Sequence, residues 1–269
     1  MTNTVNTPRT SSVILAEPVL GPAQGLILLV GMVVASFAGS FLVEYFWQMS
    51  QAFFAGLHAA LTHAPVIRIP TTSLSIVAIA GLTGALLSTI WTVSYSLRIG
   101  RSVLTLGTAR GLAWREAIPR SYLVAAFLAT LVFLTAGFLA WIFPPNVAKM
   151  NGPVAQLGRI PGWSHVGFLL LALVIAPVVE ELAFRGVLIA AFVKRYSVTT
   201  AVLVSTMLFV ALHAPDKIYY WPGFIDVGLL GLAAAYLRLH YQSLRPAMLA
   251  HFLYNALLIV FPLFVHVLL

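Results

Sequence analysis

The stretch Pro177-Val-Val-Glu-Glu-Leu-Ala-Phe-Arg-Gly186 sets two carboxylates and a guanidinium inside a run otherwise suited to lipid. An ionisable group at membrane depth costs several kcal/mol even on mild scales, so these three residues are functional candidates from the outset. On an α-helix, at about 100° per residue, Glu181 and Arg185 lie four apart on one face, where a carboxylate and a guanidinium pair. Glu180 points elsewhere. One acid is therefore matched within its own helix, and the other faces the bundle as a candidate general base. Pro177, three residues earlier, has no N–H to give the helix, so a freed carbonyl upstream and a kink are expected.

Two further stripes repeat the four-residue spacing. Ser205-Thr-Met-Leu-Phe-Val-Ala-Leu-His213 ends with Phe209 and His213 on one face, and Ala250-His-Phe-Leu-Tyr-Asn-Ala256 presents His251 and Asn255 on one face. If the helices holding Glu180 and His213 form an antiparallel hairpin, the two residues are level when the turn falls at about 196.5, beside the polar stretch Lys194-Arg-Tyr-Ser197. The acid and the imidazole then share a depth, and with it a water. His251 and Asn255 both offer donors, which acyl-transfer chemistry uses where negative charge develops. His251 is only six residues past Arg245, whereas His213 belongs nearer the opposite face, so the sixth or seventh span is expected to be tilted, broken or short.

The elements that must position these groups follow from composition. Of the 269 residues 61% are hydrophobic and 8% charged, which marks an all-α, polytopic membrane bundle. Uncharged intervals at 18–43, 69–97, 121–148, 160–179, 196–214 and 246–269 are close to or beyond the roughly 20 residues a crossing helix needs, and a seventh span is read at 223–240. The interval 45–67 carries Gln48, Gln51, His58 and His63 and reads as interfacial or re-entrant, an eighth span there being the alternative. The chain divides into a polar tail over 1–19, helices over 20–163 with a basic loop at 98–120, and a core over 164–269 that holds the late polar groups. The basic loop is expected to lie as an amphipathic helix in the interface. Outside the three stripes, Glu44 reads as interfacial, Asp226 as either interfacial or inward-facing, and His58, His63, His165, His240 and His266 as structural.

Charge and cysteine usage exclude other classes. With the N-terminus cytoplasmic, seven spans put ten Lys and Arg inside (Arg9, five Arg over 98–120, Lys194, Arg195, Arg238, Arg245) and four outside (Arg68, Lys149, Arg159, Lys217). The net charge of +8 is thus topogenic, contacting anionic lipid rather than nucleic acid. Without Cys there are no disulfides, thiolate metal sites or thiol nucleophiles. A proton-coupled transporter would use the same Glu and His residues as a relay, but the late spans show no inverted repeat of the earlier ones.

The residues Glu180-Glu181-Leu-Ala-Phe-Arg185, Phe209-Val-Ala-Leu-His213 and His251-Phe-Leu-Tyr-Asn255 resemble the three motifs EExxxR, FxxxH and HxxxN of the CAAX protease and bacteriocin-processing family. The likeness covers about 164–269 and includes the run from Ser243 to His251. Asp226 and Ala183 depart from it, standing where relatives usually carry an apolar or small residue and a bulkier one, respectively. The resemblance implies an intramembrane endopeptidase in which Glu180 and His213 activate water, His251 and Asn255 meet the oxyanion, and Glu181, Arg185 and Phe209 support the site. It implies no obligatory cofactor. The family's older metalloprotease label keeps a Zn²⁺ mechanism open, with Glu180, His213 and His251 as ligands. Eukaryotic members cleave behind a prenylated Cys, so the implied partners are membrane lipid and a peptide or prenylated protein. The short loops suit a prokaryotic plasma membrane. Some members act instead in bacteriocin immunity or as scaffolds, which is the non-catalytic alternative.

Overall fold

The computed structural model describes residues 20–63, 65, 74–150, 152 and 162–268. The tail 1–19 with Arg9, and also Arg68 and Arg159, lie outside the described residues, as does the side chain of His266. The described residues form eight helices and no strand: α1 Pro22–Thr62, α2 Leu74–Gly100, α3 Arg120–Ile142, α4 163–193, α5 Val198–Leu212, α6 Ala214–Lys217, α7 Pro222–His240 and α8 Arg245–Leu268. Five of them (α1, α2, α3, α4, α7) are long and apolar enough to cross a membrane, which makes this a multi-pass integral membrane protein.

The first helix corrects one expectation. Pro22 occupies its first turn, where a missing N–H costs nothing, and the helix then runs 41 residues without a break to a left-handed His63. Up to Thr62, the segment 45–67 is neither re-entrant nor a separate span, because the polar Gln48 and Gln51 are isolated and no Pro or Gly pair interrupts the ladder. α2 packs antiparallel on α1 through small residues. A Cβ on Gly39 would lie 2.9 Å from the Gly84 Cα, and one on Gly31 would lie inside the Trp91 ring. Trp91 Nε1 donates to Leu28 O at 3.0 Å and Ser40 Oγ donates to Ala80 O at 3.1 Å, which fixes the register.

The central element is α4. Two wide, π-type turns interrupt it at Leu171–Ile175 and Leu182–Leu188. The first directly precedes Pro177, as a freed upstream carbonyl requires: in the five-residue register Leu171 O accepts from the Ala176 N–H, while the counterpart of Ala172 O is Pro177, which has none. From Glu181 to Ala191 every residue of α4 is buried, with α1, α2, α5 and α7 around it. A second core of small and medium side chains joins α3, α7 and α8 (Ala125, Ala129, Ala234, Leu237, Ala250). The outward faces are lipid-like, with Phe37, Leu123 and Trp141 exposed.

The basic loop also differs from expectation. Instead of an amphipathic helix, 101–119 holds one short 3₁₀ turn, Arg101–Val103, and a folded-back strap that drops Leu112 fully into the core beside α4. Backbone bonds Leu112 N to Val103 O (3.0 Å), Trp114 N to Leu104 O (2.8 Å) and Ala113 N to Leu106 O (3.0 Å) close it. Gly107 and Gly111 break helical continuity, and backbone pairing within the strap replaces it.

Candidate active site

Glu180 and Glu181 sit where a regular turn of α4 passes into its second wide turn. Glu181 and Arg185 are fully buried and pair through Oε1 and Nη1 at 3.1 Å, as their spacing predicts. The same Oε1 accepts a hydrogen bond from His251 Nδ1 at 2.9 Å. Glu181 therefore joins two of the three stripes, a link that spacing within one helix does not reveal. Phe209 lies beneath this group. The Arg185 guanidinium carbon is 4.2 Å from its ring centroid, His213 packs on it at 4.6 Å, and His251 and Phe184 meet it edge-on at 5.7 and 5.1 Å.

The hairpin turn between α4 and α5 covers 194–197, around the expected midpoint, with Ser197 capping α5. His213 follows the last residue of α5, and its Nδ1 lies 2.8 Å from Phe209 O. A carbonyl only accepts, so Nδ1 carries hydrogen and a neutral ring turns the Nε2 lone pair outward. That Nε2 stands 3.9 Å from Glu180 Oε2. His251, whose Nδ1–H is given to the Glu181 carboxylate, turns its own Nε2 to the same Glu180 oxygen at 3.8 Å. Glu180 Oε2 is buried and has no hydrogen-bond partner. The side chains of Glu180 and His213 are 18% and 25% exposed against 3% for His251, so the group opens on the Glu180–His213 side and is closed behind His251. The two histidines thus meet one carboxylate despite their different distances from the helix ends, and the short element is α5, the fifth expected span, at 15 residues, rather than the sixth or seventh.

Asn255 is placed differently. Its Nδ2 donates to Ala172 O at 2.9 Å, the carbonyl whose backbone partner would have been Pro177. One amide hydrogen is committed there and one is left over. The second wide turn is treated alike: Ser205 Oγ donates to Phe184 O at 2.7 Å and Arg238 Nε to Arg185 O at 3.0 Å. Carbonyls of both wide turns thus accept from side chains of neighbouring helices, Phe184 O in addition to the Ile189 N–H.

By its place in the sequence Arg238 is a loop cation of the inner side, and the structure differs. Arg238 is fully buried in the last turn of α7, and besides Arg185 O it donates to the carbonyls of Gly107, Thr108 and Gly111. Nothing in the spacing of charges marks it, because its partners are backbone oxygens 53 to 131 residues away. Asp226 faces inward and is buried, with Oδ1 lacking a partner. Near it, the Lys217 side chain lies across Gly223, where a Cβ would come within 2.8 Å of its Cδ. Burial pushes the Lys217 ammonium below the ordinary lysine value, and Asp216 and Asp226 oppose that. Ala183 is fully buried on α4. His240 stacks on Tyr236 and His165 leans on Phe168, both as packing groups.

The atoms of Glu180, His213 and His251 have the chemistry of metal ligands, and both Nδ1 hydrogens are anchored as in metal-bound imidazoles. Their spacing is wider. Tetrahedral ligands at about 2.0–2.1 Å from Zn²⁺ stand roughly 3.4 Å apart, whereas these lie 3.8 and 3.9 Å apart. No group of three or more such side chains among the described residues closes to metal-holding geometry. A water about 2.8 Å from each of two acceptors 3.9 Å apart would subtend roughly 90°, which suits its two hydrogens.

No curated protein and no solved structure matches the chain. A family model does, that of the type II CAAX prenyl endopeptidase Rce1-like proteins, over residues 161–257. That span is just over a third of the chain and contains Glu180, Glu181, Arg185, Phe209, His213, His251 and Asn255. The three motifs and the helices that gather them therefore lie in one matched unit, and residues 161–257 form a domain of the Rce1-like type II CAAX prenyl endopeptidase family.

Proposed function

We propose that this protein is an intramembrane endopeptidase that hydrolyses a peptide bond of a membrane-associated substrate, prenylated or otherwise lipid-linked proteins included. The observation that carries this reading is Glu180 Oε2, buried without a partner and 3.9 and 3.8 Å from the Nε2 atoms of His213 and His251. A water between Glu180 and His213 gives one hydrogen to each acceptor and turns a lone pair to the scissile carbonyl. Glu180 takes the proton as the C–O bond forms, then delivers it to the leaving amine as the C–N bond breaks. His251, held by Glu181 and protonated at Nε2, and the uncommitted N–H of Asn255 meet the tetrahedral oxyanion. Glu180, Glu181 and Arg185 together carry one net negative charge, so a proton on one imidazole makes the group neutral. No side chain forms a covalent intermediate.

In this reading seven helices cross the bilayer, α1 to α5 with α7 and α8, and the N-terminus is cytoplasmic. With Arg238 removed from the loop cations, nine Lys and Arg face inside against four outside. The membrane is that of a prokaryotic cell. Glu180→Gln tests the chemistry: the purified variant in liposomes should cleave membrane peptides that accumulate in its presence in cells about 10²-fold or more slowly than wild type. Equal cleavage by the two forms would refute it. Metal analysis and chelator treatment of the active protein distinguish the water mechanism, which keeps its rate, from the Zn²⁺ mechanism, which loses it.

A further inference from the structure

We infer that Arg238 is a positioning residue that bolts the loop 101–115, which lies outside the family-matched segment, onto the two helices carrying Glu181 and His251. Its guanidinium spends its donors on four carbonyls, one on the wide turn of α4 (Arg185) and three on the loop (Gly107, Thr108, Gly111). No carboxylate among the described residues forms an ion pair with it. A fully buried cation without a counter-charge persists only where fixed dipoles replace water, and here those dipoles come from two segments, the wide turn of α4 and the loop.

The loop closes the other side of the frame. Ala113, in a left-handed conformation, accepts from Leu244 N at 2.9 Å, and Ser243 Oγ donates to Arg115 O at 2.5 Å while accepting from Arg245 N at 3.2 Å. These bonds hold the first turn of α8, six residues before His251. Leu112 fills the space between: a Cβ on Gly186 of α4 would be 3.5 Å from both Leu112 O and Leu244 Cδ1. Helices α4 and α8 are thus clamped at one end by the loop and joined further along by the 2.9 Å bond from His251 to Glu181. Releasing the loop frees α8 to slide on α4, which loosens that bond and the 3.8 Å approach of His251 to Glu180.

The test uses Arg238→Gln, which keeps a polar side chain but cannot reach four carbonyls, and Arg238→Lys, which keeps the charge and three donors. Tryptic cutting at the exposed Arg110 and Arg115 reads loop docking directly, with exposed Lys194 and Arg195 as an internal control. Cutting in the loop should rise at least tenfold in Arg238→Gln and less in Arg238→Lys, with the control sites unchanged. If Arg238→Gln does not fold, Arg238→Lys carries the test: its loop should still be cut faster than in wild type, with the control sites unchanged.

The activity arm rests on the peptidase reading. Arg238→Gln should lower kcat at least tenfold with KM within twofold, and Arg238→Lys should recover part of that loss. Unchanged tryptic rates in Arg238→Gln, or a freed loop with wild-type kcat, overturn the inference. A wild type that cleaves no peptide, together with the expected tryptic pattern, overturns the peptidase reading and leaves the clamp standing.

Discussion

Asn255 has one hydrogen bond whose worth is set by a residue on another helix. In the wide turn of α4 the carbonyl of Ala172 lacks a backbone donor because position 177 is proline, and Asn255 Nδ2 supplies one at 2.9 Å. Asn255→Ala strands that carbonyl, at a cost of about 1–3 kcal/mol. Pro177→Ala restores an N–H at the right register, so in its background the carbonyl has a partner whether or not Asn255 is present. Asn255→Ala should then cost at least about 1 kcal/mol less than in wild type, the penalty of the orphaned oxygen being gone. The space left by the missing proline ring is common to both forms of that background and cancels in the cycle. Reversible unfolding of the four proteins in mixed SDS micelles measures the difference. If the two substitutions add within about 0.5 kcal/mol, the carbonyl is not what Asn255 serves and this account of the wide turn is wrong. Peptide cleavage by the same four proteins is a separate readout: in its proposed role of oxyanion donor through the second N–H, Asn255 should cost about 10²-fold in rate when removed from either background.

Three other outcomes are expected. Glu181→Gln leaves the buried Arg185 guanidinium without its counter-charge and should lower stability by about 3–5 kcal/mol in the same unfolding assay; Glu181→Gln with Arg185→Met should lose less than the sum of the two single changes. Phe209→Ala removes the ring shared by Arg185, His213, His251 and Phe184 and should cost about 3–5 kcal/mol, whereas Phe209→Tyr should retain most of the stability. Gly231→Ala brings a Cβ to 2.9 Å from Arg185 Nη2 and Thr206 Cγ2 and should destabilise by about 1–3 kcal/mol, an effect that Thr206→Ser, which removes the second of those atoms, should relieve in part.

What the sequence makes legible is bounded by the reach of local patterns. The pairing of Glu181 with Arg185, the stripe from Phe209 to His213 and the turn at 194–197 all follow from helical period and chain counting, and the structure has each of them. The bond from His251 to Glu181 spans 70 residues, and no local pattern encodes it. Wide turns are equally silent, since one extra residue per turn barely alters an apolar run; only Pro177 hinted at the first, and nothing marked the second. Arg238 is hidden from the sequence for a related reason. A cation in a sequence near a span end looks the same whether it meets water, lipid phosphate or backbone oxygens, and only the folded loop shows which. The loop departs from an amphipathic helix because amphipathic spacing in a short basic stretch competes with glycine-driven chain reversal, and here Gly107 and Gly111 decide the outcome.

The length of α1 imposes a mismatch on its surroundings. A helix of 41 residues is about 61 Å long, and even at a steep inclination of about 40° its projection on the bilayer normal is roughly 47 Å, against about 30 Å of hydrocarbon. Some 17 Å must emerge into headgroups or beyond. With Pro22 at the other face, the emerging end holds Phe53, Phe54, Leu57 and Leu61, all exposed. Such a greasy spar drags acyl chains upward around itself, so the lipid annulus on that flank is locally thickened.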